Sequence, residues 1–195
     1  MSAEPKTFNI RDAIVKSAME FEGEEEIRGN LGFQSPEFQE IMETMGWEKR
    51  QAWCAYLAEA IWKYGYASYN SSIVDKLDTL FSPSAVITYR QFSKHPEFEL
   101  SQEPEPGDLV VWQRFNNGSA HWTGHIGVVV ELMEGKRKVF YSMEGNTNDN
   151  GSREGYGVFK RKRSHNKASF DINHGLRLLG FIKPIDASFE VESDT

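Results

Sequence analysis

Apolar positions recur at helical spacing through the first half of the chain and in β-type runs through the second. Ile10, Ala13, Ile14 and Ala18 follow Asn9, a residue whose side chain caps helix starts, with Asp12 three residues on as a capping-box-like partner. Residues 20–30 are acidic, contain Gly23 and Gly29, and read as a loop. Ser35-Pro36-Glu37 has the cap, the first-turn proline and the acid of a second helix start. Phe38, Ile41, Met42 and Met45 form its buried face, and Gly46 ends it. Cys54, Leu57, Ala58 and Ile61 then fall at i, i+3, i+4 and i+7, one apolar stripe on a helix that stops near Gly65. Ser72 with Asp75 starts a helix through Ile73, Val74, Leu77 and Leu80, and Ser82-Pro83 starts another through Val86, Tyr89 and Phe92.

The pattern changes at Glu103-Pro104-Glu105-Pro106-Gly107, a rigid connector with little helical potential. β-rich runs follow at 109–112, 126–132, 138–143, 157–161 and 176–182. Asn116-Asn117-Gly118, Glu134-Gly135-Lys136 and Asn148-Asp149-Asn150-Gly151 read as turns, and the Glu134-Gly135 link as a hairpin. Helices first and strands second predict an α+β fold, with N-terminal helices packed on a C-terminal antiparallel sheet of about five strands. At 195 residues the expectation is a single domain over 1–195, with a helical half at about 9–95, a β half at about 106–184 and a tail at 185–195.

Composition narrows the function classes. Hydrophobic residues make up 39% of the chain and aromatics 13%, enough to build a core. A net charge of −7 argues against nucleic acid as a partner. A single cysteine excludes an intramolecular disulfide. No apolar run approaches the ~20 residues that span a bilayer, so no membrane partner is expected. Met1-Ser2-Ala3-Glu4-Pro5-Lys6 has no apolar core stretch. The expectation is therefore synthesis in the cytoplasm without a signal peptide, so a substrate outside the cell would be reached by lysis or dedicated export.

That cysteine carries the candidate chemistry. Cys54 opens a predicted helix, where unpaired N–H groups and the macrodipole favour an anionic sulfur and can hold a developing oxyanion. Taken alone, a free cysteine is more often a small buried hydrophobe. Downstream, His125 opens a strand between Gly124 and Gly127, on the face opposite Ile126 and Val128. Antiparallel pairing across the Glu134-Gly135 turn brings the start of that strand beside the end of the next, where Glu144-Gly145-Asn146 lies. Either Glu144 or Asn146 can accept the imidazole proton and fix the tautomer. Cysteine, histidine and an orienting acceptor are the parts of a cysteine hydrolase.

Other residues stand as candidates beside these. Gln51 precedes the cysteine and can donate an amide N–H to the oxyanion. Trp53 and Tyr56 flank Cys54, and Trp112, Phe115, Trp122 and Tyr156 flank the predicted site, where they line a sugar- or peptide-binding groove or, as is commoner for aromatics, pack into the core. His121 is a rival base. Zinc needs three or four clustered ligands, and His121 and His125 do not share a helical face, so no metal or other cofactor is expected. Asn146-Thr147-Asn148-Asp149-Asn150-Gly151 lacks the paired carboxylates and terminal glutamate of a calcium loop and reads as a solvated turn. Lys160-Arg161-Lys162-Arg163 reads as a charged edge strand, or as an attractor of anionic polymers.

Trp53-Cys54-Ala55, Pro106-Gly107-Asp108-Leu109-Val110, Gly124-His125-Ile126-Gly127-Val128-Val129 and Glu144-Gly145-Asn146-Thr147, in this order and spacing, resemble the CHAP family of cysteine, histidine-dependent amidohydrolases/peptidases. The resemblance covers residues 45–150 well and residues 1–40 loosely. It implies a papain-like fold and cleavage of peptidoglycan, either at the N-acetylmuramoyl–alanine amide or within the stem or cross-bridge peptide. Cys54 would be the nucleophile, His125 the base, Glu144 the orienting residue and Asn146 an auxiliary. NlpC-type wall hydrolases often place a histidine at the third position, where this chain has a carboxylate. Some CHAP enzymes bind calcium through acidic residues just before the cysteine, and Trp47-Glu48-Lys49-Arg50-Gln51 departs from that pattern. The alternatives are a cysteine peptidase or amidase on a non-wall substrate, and an inactive groove-binding module. An immunity or export partner is compatible with this reading but has no signature in the residues.

Overall fold

Side-chain caps set where three of the helices begin. Asn9 accepts the Arg11 N–H ahead of α1 (Ile10–Glu20), Ser35 accepts the Phe38 N–H ahead of α2 (Pro36–Thr44), and Ser84 accepts the Ile87 N–H ahead of α5 (Ala85–Phe92). The last cap corrects the expected start at Ser82-Pro83. Ser82 and Thr88 instead bond each other's turn, with the Thr88 hydroxyl accepting from Ser82 N–H. Between them run α3 (Cys54–Ala67) and α4 (Ile73–Leu80). The computed structural model describes residues 9–67, 73–135, 139–147, 155–165 and 174–185. The expected cap at Ser72, the turn at Asn148-Asp149-Asn150-Gly151 and the tail beyond Ile185 lie outside them.

The fold is α+β, with five helices and a six-stranded antiparallel sheet among the described residues. The sheet contains β3 (Leu100–Ser101), β4 (Leu109–Asn116), β5 (Ser119–Leu132), β6 (Val139–Thr147), β7 (Gly157–Ser164) and β8 (His174–Ile182), in the order β3-β8-β4-β5-β6-β7. The five expected runs are five of these strands, and β3 is a two-residue addition. A second, two-stranded ribbon of β1 (Glu26–Ile27) and β2 (Gly32–Phe33) occupies what reads as a loop in the sequence. Its approach covers the β7 edge, where Glu24 O accepts the Val158 N–H at 2.8 Å and the Glu26 N–H reaches Tyr156 O at 2.7 Å. No helix among the described residues is long and apolar enough to cross a membrane.

The strands are longer than their apolar runs. β5 continues outward from Ile126 to Ser119 through polar residues, so His125 lies mid-strand and does not open it. The β4–β5 connection is a two-residue turn in which Asn117 (φ 50°) and Gly118 (φ 75°) both take the left-handed conformation. That turn matches the twist of the strands it joins.

Helix α3 is the centre of the molecule. It touches α1, α2, α4 and α5 on one side and β5 and β6 on the other. A helix covered all round buries every side, and residues 54–62 are all buried and apolar except Glu59, which pairs with Lys63 at 2.8 Å. The expected one-sided stripe is therefore buried on every side over 54–62, and the helix itself runs on past Gly65 to Ala67 with Tyr64 exposed. Gly65 lets α1 approach, because a Cβ there would lie 2.6 Å from Ile14 Cγ1. Trp62 packs against Tyr66, Phe81, Phe92 and Phe98, while Trp53 packs edge-on against Phe33 and Phe38. Ile126, Val128 and Val130 join this core from one sheet face, and Val110, Trp112, Val129, Phe140 and Phe181 form a smaller cluster on the other.

One buried ion pair ties the helical layer to the sheet. Asp108, fully buried, meets Arg11 Nη1 at 2.7 Å and accepts the Glu105 N–H at 2.8 Å. Burial pushes its carboxyl up to about 6 although Arg11 opposes the shift, so the pair is fully charged only above that pH. Asp108→Ala would remove one Arg11 partner, while Glu105 Oε2 at 3.3 Å and Pro106 O at 2.9 Å stay within its reach, and is expected to cost about 1–3 kcal/mol of stability, read as a drop in the urea midpoint at pH 7.

Candidate active site

Three elements bring three side chains together. Cys54 is the first residue of α3, His125 lies in β5 and Glu144 lies in β6. β5 and β6 pair with Val128 opposite Met143, which sets Glu144 diagonally from His125 and directly beside Gly127. A Cβ on Gly127 would lie 2.7 Å from Glu144 Cγ and 2.8 Å from Met143 O. The missing side chain is thus the space through which the carboxylate reaches the ring. Glu144 Oε2 lies 2.8 Å from His125 Nε2. Cys54 lines the same pocket as His125 and is one of the groups that raise the imidazole pKa.

The carboxylate is fully buried and saturated with donors. Arg163 Nε donates to Oε1 at 2.7 Å and Nη2 to Oε2 at 2.5 Å, and the Ser142 hydroxyl donates to Oε1 at 2.5 Å. Burial favours the neutral acid, but the bonds from Arg163 and His125 and their charges outweigh it, so the carboxyl lies well below its usual range. The imidazole shows the same contest. Burial lowers its pKa, while bonds to Cys54 and Glu144 and their charges raise it, to about 9. Trp112 lies 5.8 Å from the imidazole at 25° between planes, and the Arg163 guanidinium sits 5.2 Å from the indole.

The sign of the resulting pH dependence follows from the folded value lying above the unfolded one, near 6.5. The stabilisation is complete below about pH 6.5 and is lost as pH rises through about 9. Unfolding free energy is expected to fall by roughly 3 kcal/mol across that window, and His125→Gln to remove most of the slope in urea titrations at pH 6, 8 and 10.

The other sequence candidates divide. Asn146, in the left-handed conformation (φ 53°), lines the same pocket as Cys54 and His125, but its Nδ2 donates to Gly155 O at 3.1 Å. Glu144, not Asn146, therefore holds the imidazole. The Gln51 side chain accepts from the Tyr56 hydroxyl and is not part of the pocket wall. Trp53 is fully buried with its Nε1 on Glu26 Oε2 at 2.8 Å, so it is core and not a substrate contact. Trp112 is likewise buried, as the plate beneath the imidazole. Trp122 is 72% exposed but is not among the residues lining the pocket. His121 Nδ1 is tied to Thr123 Oγ1 at 2.7 Å, four residues outward along the strand from His125. Among the described residues, no group of three or more His, Cys, Asp or Glu side chains is placed to hold a metal ion.

Arg163 is the residue that sequence reasoning missed. Its signal was present, because a basic run on a strand must alternate faces. Lys160 turns to Glu131 at 2.5 Å and Lys162 is exposed, while Arg161 and Arg163 line the pocket on the opposite face. The pocket has a volume of about 530 Å³ and opens beside Cys54. No family model, curated protein or solved structure matches the chain.

Proposed function

We propose that this chain is a papain-like cysteine amidohydrolase of the CHAP type, acting on an amide bond of peptidoglycan. The observation that carries the reading is the ordered set Cys54, His125 and Glu144, contributed by a helix start and two adjacent strands. The acyl-transfer chemistry rests on that geometry, and the wall substrate rests on the motif resemblance described above.

In this reading the Cys54 sulfur attacks the amide carbonyl, and its proton resides on His125. The Cys54 backbone N–H, unpaired at the helix start, bonds the oxyanion. The tetrahedral intermediate collapses as His125 gives its proton to the leaving amine, forming a thioester and a free amine. Water, deprotonated by His125, then hydrolyses the thioester and returns the thiol. Glu144 holds the ring oriented through both halves, and Arg163 keeps Glu144 ionised. Turnover needs the imidazolium as acid, so the rate is expected to fall as pH rises through about 9, measured as release of new amino groups from purified walls between pH 6 and 10.

The substrate is tested by digesting purified sacculi and weighing the products. The reading expects muropeptides with one new amine and one new carboxyl or lactyl end. A preparation that hydrolyses a non-wall peptide and releases no muropeptide would assign the same chemistry to another amide.

A further inference from the structure

The pocket beside Cys54 carries a charge opposite to that of the chain. The protein has a net charge of −7, yet Arg114, Arg161 and Arg163 all line this pocket and, among the described residues, no acidic residue does. The three come from one sheet face. Arg114 lies two residues beyond Trp112 on β4, and Arg161 lies two residues before Arg163 on β7, opposite Ser142. Their states differ. Arg163 is fully engaged by Glu144. Neither Arg114 nor Arg161 has an acidic partner among the described residues, and Arg161 Nε is buried with no hydrogen-bond acceptor. A buried guanidinium N–H without an acceptor is costly, and a guanidinium fork matches a carboxylate in shape as well as charge.

We infer that Arg114 and Arg161 form a carboxylate-binding subsite next to Cys54, so that the preferred substrate is an amide whose peptide carries a free carboxylate close to the scissile bond. The inference rests on Cys54 being the reacting group, and it adds the substrate feature that the site selects. A carboxylate is the anion that a peptide amide itself brings. Seated between the two arginines it supplies the acceptor that Arg161 Nε lacks and fixes the register of the carbonyl against the sulfur. Clefts lined by one sign of charge also concentrate ligands of the other sign, here against the repulsion of the whole molecule.

The test uses the thiol as its own probe. Iodoacetate and iodoacetamide alkylate the same sulfur and differ in charge, so the ratio of their rate constants reads anion recognition beside Cys54. The folded protein is expected to show a ratio about tenfold above that of the urea-unfolded chain, falling as NaCl is raised. Arg161→Gln and Arg114→Gln are each expected to lower the ratio several-fold. Lys162→Gln, which removes the same charge from the exposed side of the same strand, is expected to leave it unchanged. The inference is overturned if both arginine variants keep the wild-type ratio, or if Lys162→Gln lowers it as much as they do.

A second arm reads the substrate. Carbodiimide amidation of wall carboxylates is expected to slow wild-type digestion about tenfold and the arginine variants much less. The arms separate the two proposals. An alkylation preference that depends on the arginines, in a protein that releases nothing from walls, keeps the subsite and removes the wall substrate. Wall digestion with an arginine-independent ratio does the reverse.

Discussion

Cys54→Ala is expected to stop hydrolysis while leaving a folded protein. Removing the nucleophile of a triad typically costs roughly 10⁴-fold or more in turnover, and Cys54 is the one cysteine of the chain, so no second thiol can form the thioester. The stability cost is small by comparison, on the order of 1 kcal/mol, since only one sulfur leaves a largely buried position. Release of fragments from purified walls and a thermal melt, made on the same preparation, separate the two effects. A variant that clears walls at the wild-type rate removes the acyl-transfer mechanism.

Glu144→Gln is expected to be damaging in both respects. The amide keeps the shape of the carboxylate but not its charge, so the Arg163 guanidinium loses its counter-ion in a largely buried setting and His125 loses the partner that holds it protonated. Stranding one member of a buried pair costs about 3–5 kcal/mol. By analogy with other triads, loss of the orienting carboxylate lowers turnover by roughly 10⁴-fold. The His125 pKa, followed by NMR of the ring protons, is expected to fall from about 9 toward its ordinary value. That titration distinguishes an electrostatic role from a packing one, because a purely structural defect would lower stability without moving the imidazole of the molecules that remain folded.

The division between what the sequence revealed and what it hid follows the range of each interaction. Helix starts are written locally, and Asn9 and Ser35 cap the helices expected from them. That Cys54, His125 and Glu144 lie together was legible because a cysteine at a helix start and a hairpin register are both short-range inferences. Trp53 and Trp112 misled because an aromatic beside a reactive residue looks the same in sequence whether it faces substrate or core. Only the packing of Trp53 on Phe33 and Phe38, and of Trp112 beneath His125, distinguishes them. Arg163 escaped because its meaning depends on the β6–β7 register, which pairs Phe140 with Arg163 and Glu144 with Phe159 across a connection the residues do not specify. The β1–β2 ribbon escaped because two-residue strands have no period to detect.

Between Glu144 and Asn146, the backbone of Gly145 presses against α3, where a Cβ would lie 2.5 Å from Trp53 and 2.7 Å from Leu57. The spacing between α3 and β6 at the candidate site is set there, by an atom that is not present. Any side chain at this position acts as a wedge, lifting the helix off the sheet and drawing sulfur away from nitrogen while the triad residues themselves stay unchanged. In the proposed hydrolase, where a displacement of about 1 Å can cost on the order of 10²-fold in rate, the smallest residue in the neighbourhood would hold as much control over the chemistry as the groups that perform it.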